Sequence, residues 1–136
     1  MDLENAMQTG ASAMRSQSTR IRIISENIAN ADSTPTTPSG NPYRRKVPTF
    51  VGEFDRTLNA RLVELGKTRT DNSEFRLKYE PGHPAADRNG NVKYPNVNPL
   101  IEMTDMREAQ RSYEANVNVI SATRRMLQRT IDILKA

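Results

Sequence analysis

The stretch SENIANADSTP, residues 25–35, decides how this chain is read. It closes an apolar-striped segment with two asparagines, Asn27 and Asn30, and passes straight into Asp, Ser, Thr and Pro. Asparagine is a poor helix-interior residue because its amide competes for backbone hydrogen bonds, so something other than helix stability is expected to have placed this pair. The prolines that follow fix their own backbones and push the preceding residues away from helical geometry, which turns the chain into a linker.

Upstream, Leu3, Met7, Ala11, Met14, Ile21, Ile24 and Ile28 recur at spacings of three, four or seven, one apolar stripe of a helix over about Leu3 to Ala31. Asp2 and Glu4 stand where the helix dipole favours acids. The middle of this helix, QTGASAMRSQSTR, is small and polar, and Gly10 costs about 1 kcal/mol of helix propensity relative to Ala. Alone in water such a helix is marginal. Downstream of Pro99 a stronger helix is expected, with Met106, Tyr113, Ile120, Leu127 and Leu134 recurring every seven residues and Met103, Val117 and Ile131 filling the seam between them. Its acids come early (Glu102, Asp105, Glu108, Glu114) and its bases late (Arg124, Arg125, Arg129, Lys135), as the dipole favours. Roughly 50 Å of helix needs a partner along its length.

Between the helices, residues 32–49 read as an extended, proline-containing linker and residues 50–99 as a small α/β appendage. Phe50, Phe54, Leu58, Leu62 and Leu65 lie at near-helical intervals and predict a short helix; EFRLKYE alternates like a half-buried strand; Asn89-Gly90 predicts a tight turn into a strand at Val92 and Tyr94. The resulting expectation is a mainly α chain. Its N-terminal helix (1–31) and C-terminal helix (100–136) pair as a coiled-coil-like hairpin around a β-containing middle, and further surface is buried between subunits. An ordinary helical hairpin with a loop insert fits the same pattern.

Composition limits the chemistry. The chain has 136 residues, 35% of them hydrophobic, and a mean hydropathy of −0.74, which argues against a large private core. No Cys is present, which excludes disulfides and thiolate sites. The N-terminus has acids where a secretory signal has bases, and no segment approaches the roughly 18 apolar residues of a membrane span. His83, the only histidine, sits between prolines in PGHPAAD and reads as a turn residue. Asp87, Asn89 and Asn91 imitate the start of a calcium loop, but Gly90 falls at the fourth place and Asn98 stands where the closing Glu belongs. Neither a catalytic constellation nor a cofactor motif is found, so no enzyme is expected and no cofactor. The net charge of +4 is spread thinly, with one local cluster, Tyr43 to Lys46, which reads as a solvated turn; neither nucleic-acid binding nor membrane insertion is expected.

Three stretches carry a resemblance to a known family. RIRIISENIANADSTP (residues 20–35) resembles the N-terminal signature of the axial proteins of the bacterial flagellum, the rod and hook family. YEPGHPAADRNGNVKYPNVNP (79–99) is similar to a segment typical of a proximal-rod member, and EMTDMREAQRSYEANVNVISATRRMLQRTIDI (102–133) resembles the family's C-terminal helix. The chain departs from the family pattern in its longer linker before Tyr43 and in Asn91, where an aromatic is common. The resemblance implies a structural subunit of the periplasmic rod of the basal body, exported unfolded by the flagellar type III apparatus without a cleaved signal. It also implies helical assembly with other rod subunits and with itself to transmit torque. On that reading Ile21, Ile24, Asn27, Ile28, Asn30, Met106, Tyr113, Asn116, Val117, Ile120, Leu127 and Ile131 carry helix and subunit packing, while His83, Pro84, Asp87, Pro95 and Asn96 make rod-wall contacts. The alternative from a different class is a cytosolic coiled-coil or basic nucleic-acid-associated protein.

Overall fold

The computed structural model describes residues 3–135, so Asp2 lies outside the described residues. Two long helices, α1 (Leu3–Ala29) and α2 (Pro99–Lys135), flank six short strands: β1 (Lys46–Val47), β2 (Phe50–Asp55), β3 (Ala60–Leu65), β4 (Arg69–Thr70), β5 (Arg76–Tyr79) and β6 (Asn91–Tyr94). The strands form three two-stranded antiparallel sheets, β1 with β4, β2 with β3 and β5 with β6. The helices contain 27 and 37 residues, about half of the chain, so helix and small sheets share the architecture. The chain forms two compact units, residues 1–21, 49–67 and 107–136, and residues 22–48 and 68–106.

In the first unit, the two helical segments run antiparallel: Gly10 faces Ile120, and Arg20 reaches Glu108 at 3.7 Å. Ser12, Ser16, Ala109 and Thr123 are buried, and the hydroxyls of Ser12 and Thr123 donate to carbonyls of their own helices, to Thr9 O and Val119 O, so neither is left unsatisfied. A Cβ on Gly10 would come within 3.1 Å of Ile120 Cγ1, so glycine is what lets the helices close here. The hydrophobic seam expected on α2 is only half used: Met106, Tyr113 and Ile120 are half-buried, but Met103, Val117, Leu127, Ile131 and Leu134 are exposed.

The helix expected over Phe50 to Leu65 is a β-hairpin, β2–β3, with Phe50 opposite Leu65 and Asp55 opposite Ala60. Local chemistry overrides the helical spacing. Asp55 Oδ1 accepts the backbone N–H groups of Thr57 and Leu58, Asn59 adopts φ +48°, Val51 and Val63 favour strand, and Gly52 weakens a helix. The hairpin is tied to α1 where Ser16 Oγ donates to Val63 O at 2.9 Å.

In the second unit, β5 and β6 form the expected strands, but β5 is not half-buried: Leu77 is 64% and Tyr79 70% exposed, and the buried side chain is Val92 of β6. The Asn89-Gly90 turn is present, with Gly90 at φ +80°. α2 begins at Pro99 with Asn98 as its cap, the Asn98 side chain accepting the N–H of Leu100 at 3.1 Å.

Replacing Gly10 with Leu is expected to force the helices apart at Ile120 and lower the thermal midpoint of the purified chain by several degrees, whereas Gly52→Ala, with open space around its Cβ, is expected to leave it nearly unchanged. Circular dichroism at 222 nm checks both.

Candidate functional site: the Asn27 junction and the exposed helix faces

Asn27 is 1% exposed, and every hydrogen-bonding position of its amide is used. Its Nδ2 donates to the backbone carbonyl of Lys46 at 2.8 Å and to Glu102 Oε2 at 3.1 Å. Its Oδ1 accepts the Tyr43 hydroxyl at 2.8 Å and the Lys46 backbone N–H at 3.0 Å. One side chain therefore joins α1, the segment entering β1 and the first turn of α2. Asn30 acts locally instead: its side chain donates to Glu26 O at 2.8 Å, and its carbonyl accepts both the N–H and the hydroxyl of Ser33, closing the helix end.

Glu102 is also 1% exposed, and its second oxygen accepts Arg45 Nε at 2.5 Å. A carboxylate removed from water needs such a partner, because desolvation otherwise outweighs any packing gain. The same guanidinium lies 3.8 Å from Asp71 and 3.7 Å from Asp105. The Tyr43–Lys46 cluster is thus not the solvated turn expected of it. Arg44 stacks 4.3 Å from the Phe75 ring centroid, Arg45 neutralises Glu102, and Lys46 pairs with Glu26. Burial, with Glu26 and Glu102 nearby, pushes the Tyr43 hydroxyl up to about 12. Hydrogen bonds from the Ser73 N–H and hydroxyl hold Asp71 below the usual carboxylate value, and Arg45 and Arg44 add to the effect. Asn96 completes the cluster, accepting the Arg45 N–H and donating to Asp71 O and Ser73 Oγ. These carboxylates converge on arginine, and among the described residues no group of three or more His, Asp or Glu could hold a metal ion.

The expected rod-wall residues divide. Pro95 is fully buried, and Asn96 is occupied within the junction. His83 Nδ1 accepts the N–H of Ala85, so Nε2 carries the proton and faces Thr34 Oγ1 at 3.3 Å, tying the loop after β5 to the linker. Asp87 is exposed, but its Oδ1 accepts the N–H groups of Asn89 and Asn91 and shapes the turn; Pro84 is exposed. Sequence reasoning passed over Arg76, whose Nη2 donates to Ala31 O at 2.8 Å and whose Nε donates to Pro95 O at 3.0 Å. α1 has no basic residue in its last turn, and Arg76 supplies one from β5.

Of the expected packing residues, Ile24 and Asn27 are buried, Ile21, Ile28, Asn30, Met106, Tyr113, Asn116 and Ile120 are half-buried, and Val117, Leu127 and Ile131 are exposed. The exposed set extends along α2 to Met126, Ile133 and Leu134, the last two 76% and 82% exposed. None of the described helices is long and apolar enough to cross a membrane.

The helices thus leave much apolar surface uncovered. Residues 7–35 match the family model described as flagella basal body rod protein, and residues 88–133 match that of the flagellar basal body rod FlgEFG protein C-terminal region. The chain is 54% identical over 134 residues to the flagellar basal-body rod protein FlgC of Agrobacterium fabrum, covering 98% of this chain and 96% of that protein. It is 37% identical over 133 residues to FlgC of Salmonella typhimurium, covering 98% of each, and 36% identical over 146 residues to FlgC of Bacillus subtilis, covering 96% of this chain and 97% of that protein. The class is that of the flagellar basal-body rod proteins. Within it, this chain belongs to the FlgC family, and it is a structural subunit of the basal-body rod.

Two outcomes follow from the junction. Asn27→Leu leaves the Lys46 backbone unsatisfied and removes a donor from buried Glu102; a loss of about 3 kcal/mol is expected, read by urea unfolding, whereas Asn30→Ala should cost about 1 kcal/mol or less. For Tyr43 the neutral phenol is the form favoured by folding, so its contribution is complete below pH 10 and fades as pH rises toward about 12. Absorbance at 295 nm should show a tyrosinate step near pH 12 that Tyr43→Phe removes.

Proposed function

We propose that this rod subunit belongs to the proximal rod, where it assembles helically with itself and with other axial proteins and carries torque through the periplasm. The observation that supports this reading is the uncovered end of α2. In an antiparallel pair that sets Gly10 against Ile120, Leu3 lies opposite about residue 127. The stripe through Tyr113 and Ile120 continues into Leu127, Ile131 and Leu134, which are 42%, 36% and 82% exposed. Apolar side chains in register with a used seam, but themselves exposed, suit a neighbouring helix.

On the same reading the N- and C-terminal helices form a coiled-coil-like pair, and residues 1–31, 32–49, 50–99 and 100–136 act as axial helix, linker, appendage and axial helix. The subunit has a structural role without catalysis, binds no nucleic acid, does not insert into the membrane, and reaches the rod through the flagellar type III export apparatus. The polar, glycine-containing middle of α1 supports passage as an unfolded chain, because a weak helix is easily undone. Contacts between successive copies are head-to-tail and do not close.

Deleting the gene is expected to give basal bodies with rings but no rod by electron microscopy. An Ile131→Asp/Leu134→Asp variant, altered only where α2 is exposed, should be made and exported yet fail to complete the rod. Complete motile flagella in the deletion strain would overturn the rod reading, and normal rods in the double variant would remove the end of α2 from the assembly surface.

A further inference from the structure

The β2–β3 hairpin displays two faces of different chemistry. Its register puts Phe50, Gly52, Phe54, Arg61, Val63 and Leu65 on one face and Val51, Glu53, Asp55, Ala60, Leu62 and Glu64 on the other. Asp55 is committed to the turn. Glu53 and Glu64 are exposed, form no ion pair among the described residues, and occupy diagonal positions across the two strands, about 7–8 Å apart. Beside them Val51 is 52% exposed. The hairpin meets α1 at Val63, where Ser16 bonds its backbone, while Val51, Glu53 and Glu64 stay exposed; a two-stranded hairpin with so much open surface is marginal in water and gains from being covered.

α2 carries the complementary pattern in the same compact unit. Arg125 and Arg129 are one helical turn apart, with side chains on one face separated by about 5–6 Å, and both are exposed and without an ion-pair partner among the described residues. Between them Met126 is 58% exposed. The acidic pair and the arginine pair have similar spacing, each is interleaved with an exposed apolar side chain, and neither finds the other within one chain.

We infer that the Glu53/Glu64 face of the hairpin docks on the Arg125/Arg129 face of α2 in a second copy of this chain. The inference rests on the rod-subunit reading and names one contact within it. Arginine suits such a contact because its planar fork meets carboxylates with two hydrogen bonds, and Met126 with Val51 supplies apolar area that excludes water from the pairs. A hairpin seated on a neighbour's helix uses two different surfaces, so each copy offers both an unfilled hairpin and an unfilled helix face, and the contact propagates.

Charge exchange tests it in cells lacking the native gene. Glu53→Arg/Glu64→Arg and Arg125→Glu/Arg129→Glu are each expected to reduce the yield of complete rods in isolated basal bodies at least tenfold. The chain carrying all four substitutions should recover most of the yield, because every copy again presents opposite charges. Since the chain contains no Cys, Glu53→Cys/Arg129→Cys should in addition give disulfide-linked multimers in oxidised basal bodies, which neither single-cysteine chain gives beyond a dimer. Normal rods from either charge-reversed pair, or no recovery in the fourfold variant, would overturn the contact; the latter result is also the one expected if a different rod protein occupies the hairpin face. The native chain still builds rods in every case, so failure of this contact is distinct from failure of the rod assignment.

Discussion

The amide of Asn27 is the interaction on which its compact unit depends. It has two donors and two acceptor positions, and it uses them on the backbone of Lys46, on Tyr43 and on buried Glu102. No apolar residue could replace it, because the groups it satisfies would remain inside without partners, and unsatisfied buried polar groups each cost about 1–3 kcal/mol. The cluster around it is polar throughout. Glu102 is tolerable only because Arg45 meets it, and Arg45 is held in turn by Asn96 through its backbone N–H. Cooperative polar networks of this kind specify one arrangement sharply, since partial satisfaction is worse than none. The unit is thus fixed by direction and complementarity of hydrogen bonds, with Ile23, Ile24, Val92 and Val97 as a small apolar complement.

The other unit follows a different economy. Its helices meet where Gly10 faces Ile120, and the buried Ser12, Ser16, Ala109 and Thr123 are small, so little apolar area is removed from water. The large side chains are left outside: Phe50, Phe54, Val119, Met126, Ile133 and Leu134 are all exposed. Monomeric soluble proteins rarely leave so many large apolar side chains open to water.

Legibility varied with how local the deciding physics was. Both long helices, a start of α2 beside Pro99, the turn at Gly90 and the strand at Val92 follow from short-range signals and stand in the structure. The hairpin at Phe50 to Leu65 was hidden by apolar spacing of four, four, four and three, which mimics a helix. The deciding features were the turn chemistry of Asp55 and Asn59 and the helix-weakening Gly52. Tyr43 to Lys46 looked like a solvated basic turn because its partners, Asn27, Glu26, Asp71 and Glu102, are distant in sequence and individually unremarkable. Arg76, which caps α1 from 45 residues away, carried no local signal at all.

The class of this protein is written along its chain: helical ends of legible length and polarity, and signature stretches that place it among flagellar rod subunits. Those properties depend on periodicity, composition and motif, which are written along the chain. Only the tertiary structure decided what the asparagines of SENIANADSTP do, with Asn27 joining three segments and Asn30 merely ending a helix. It also decided which half of the α2 stripe is used and which is left open. Both outcomes depend on which side chains come within about 3–4 Å of one another, and spacing along the chain does not encode that.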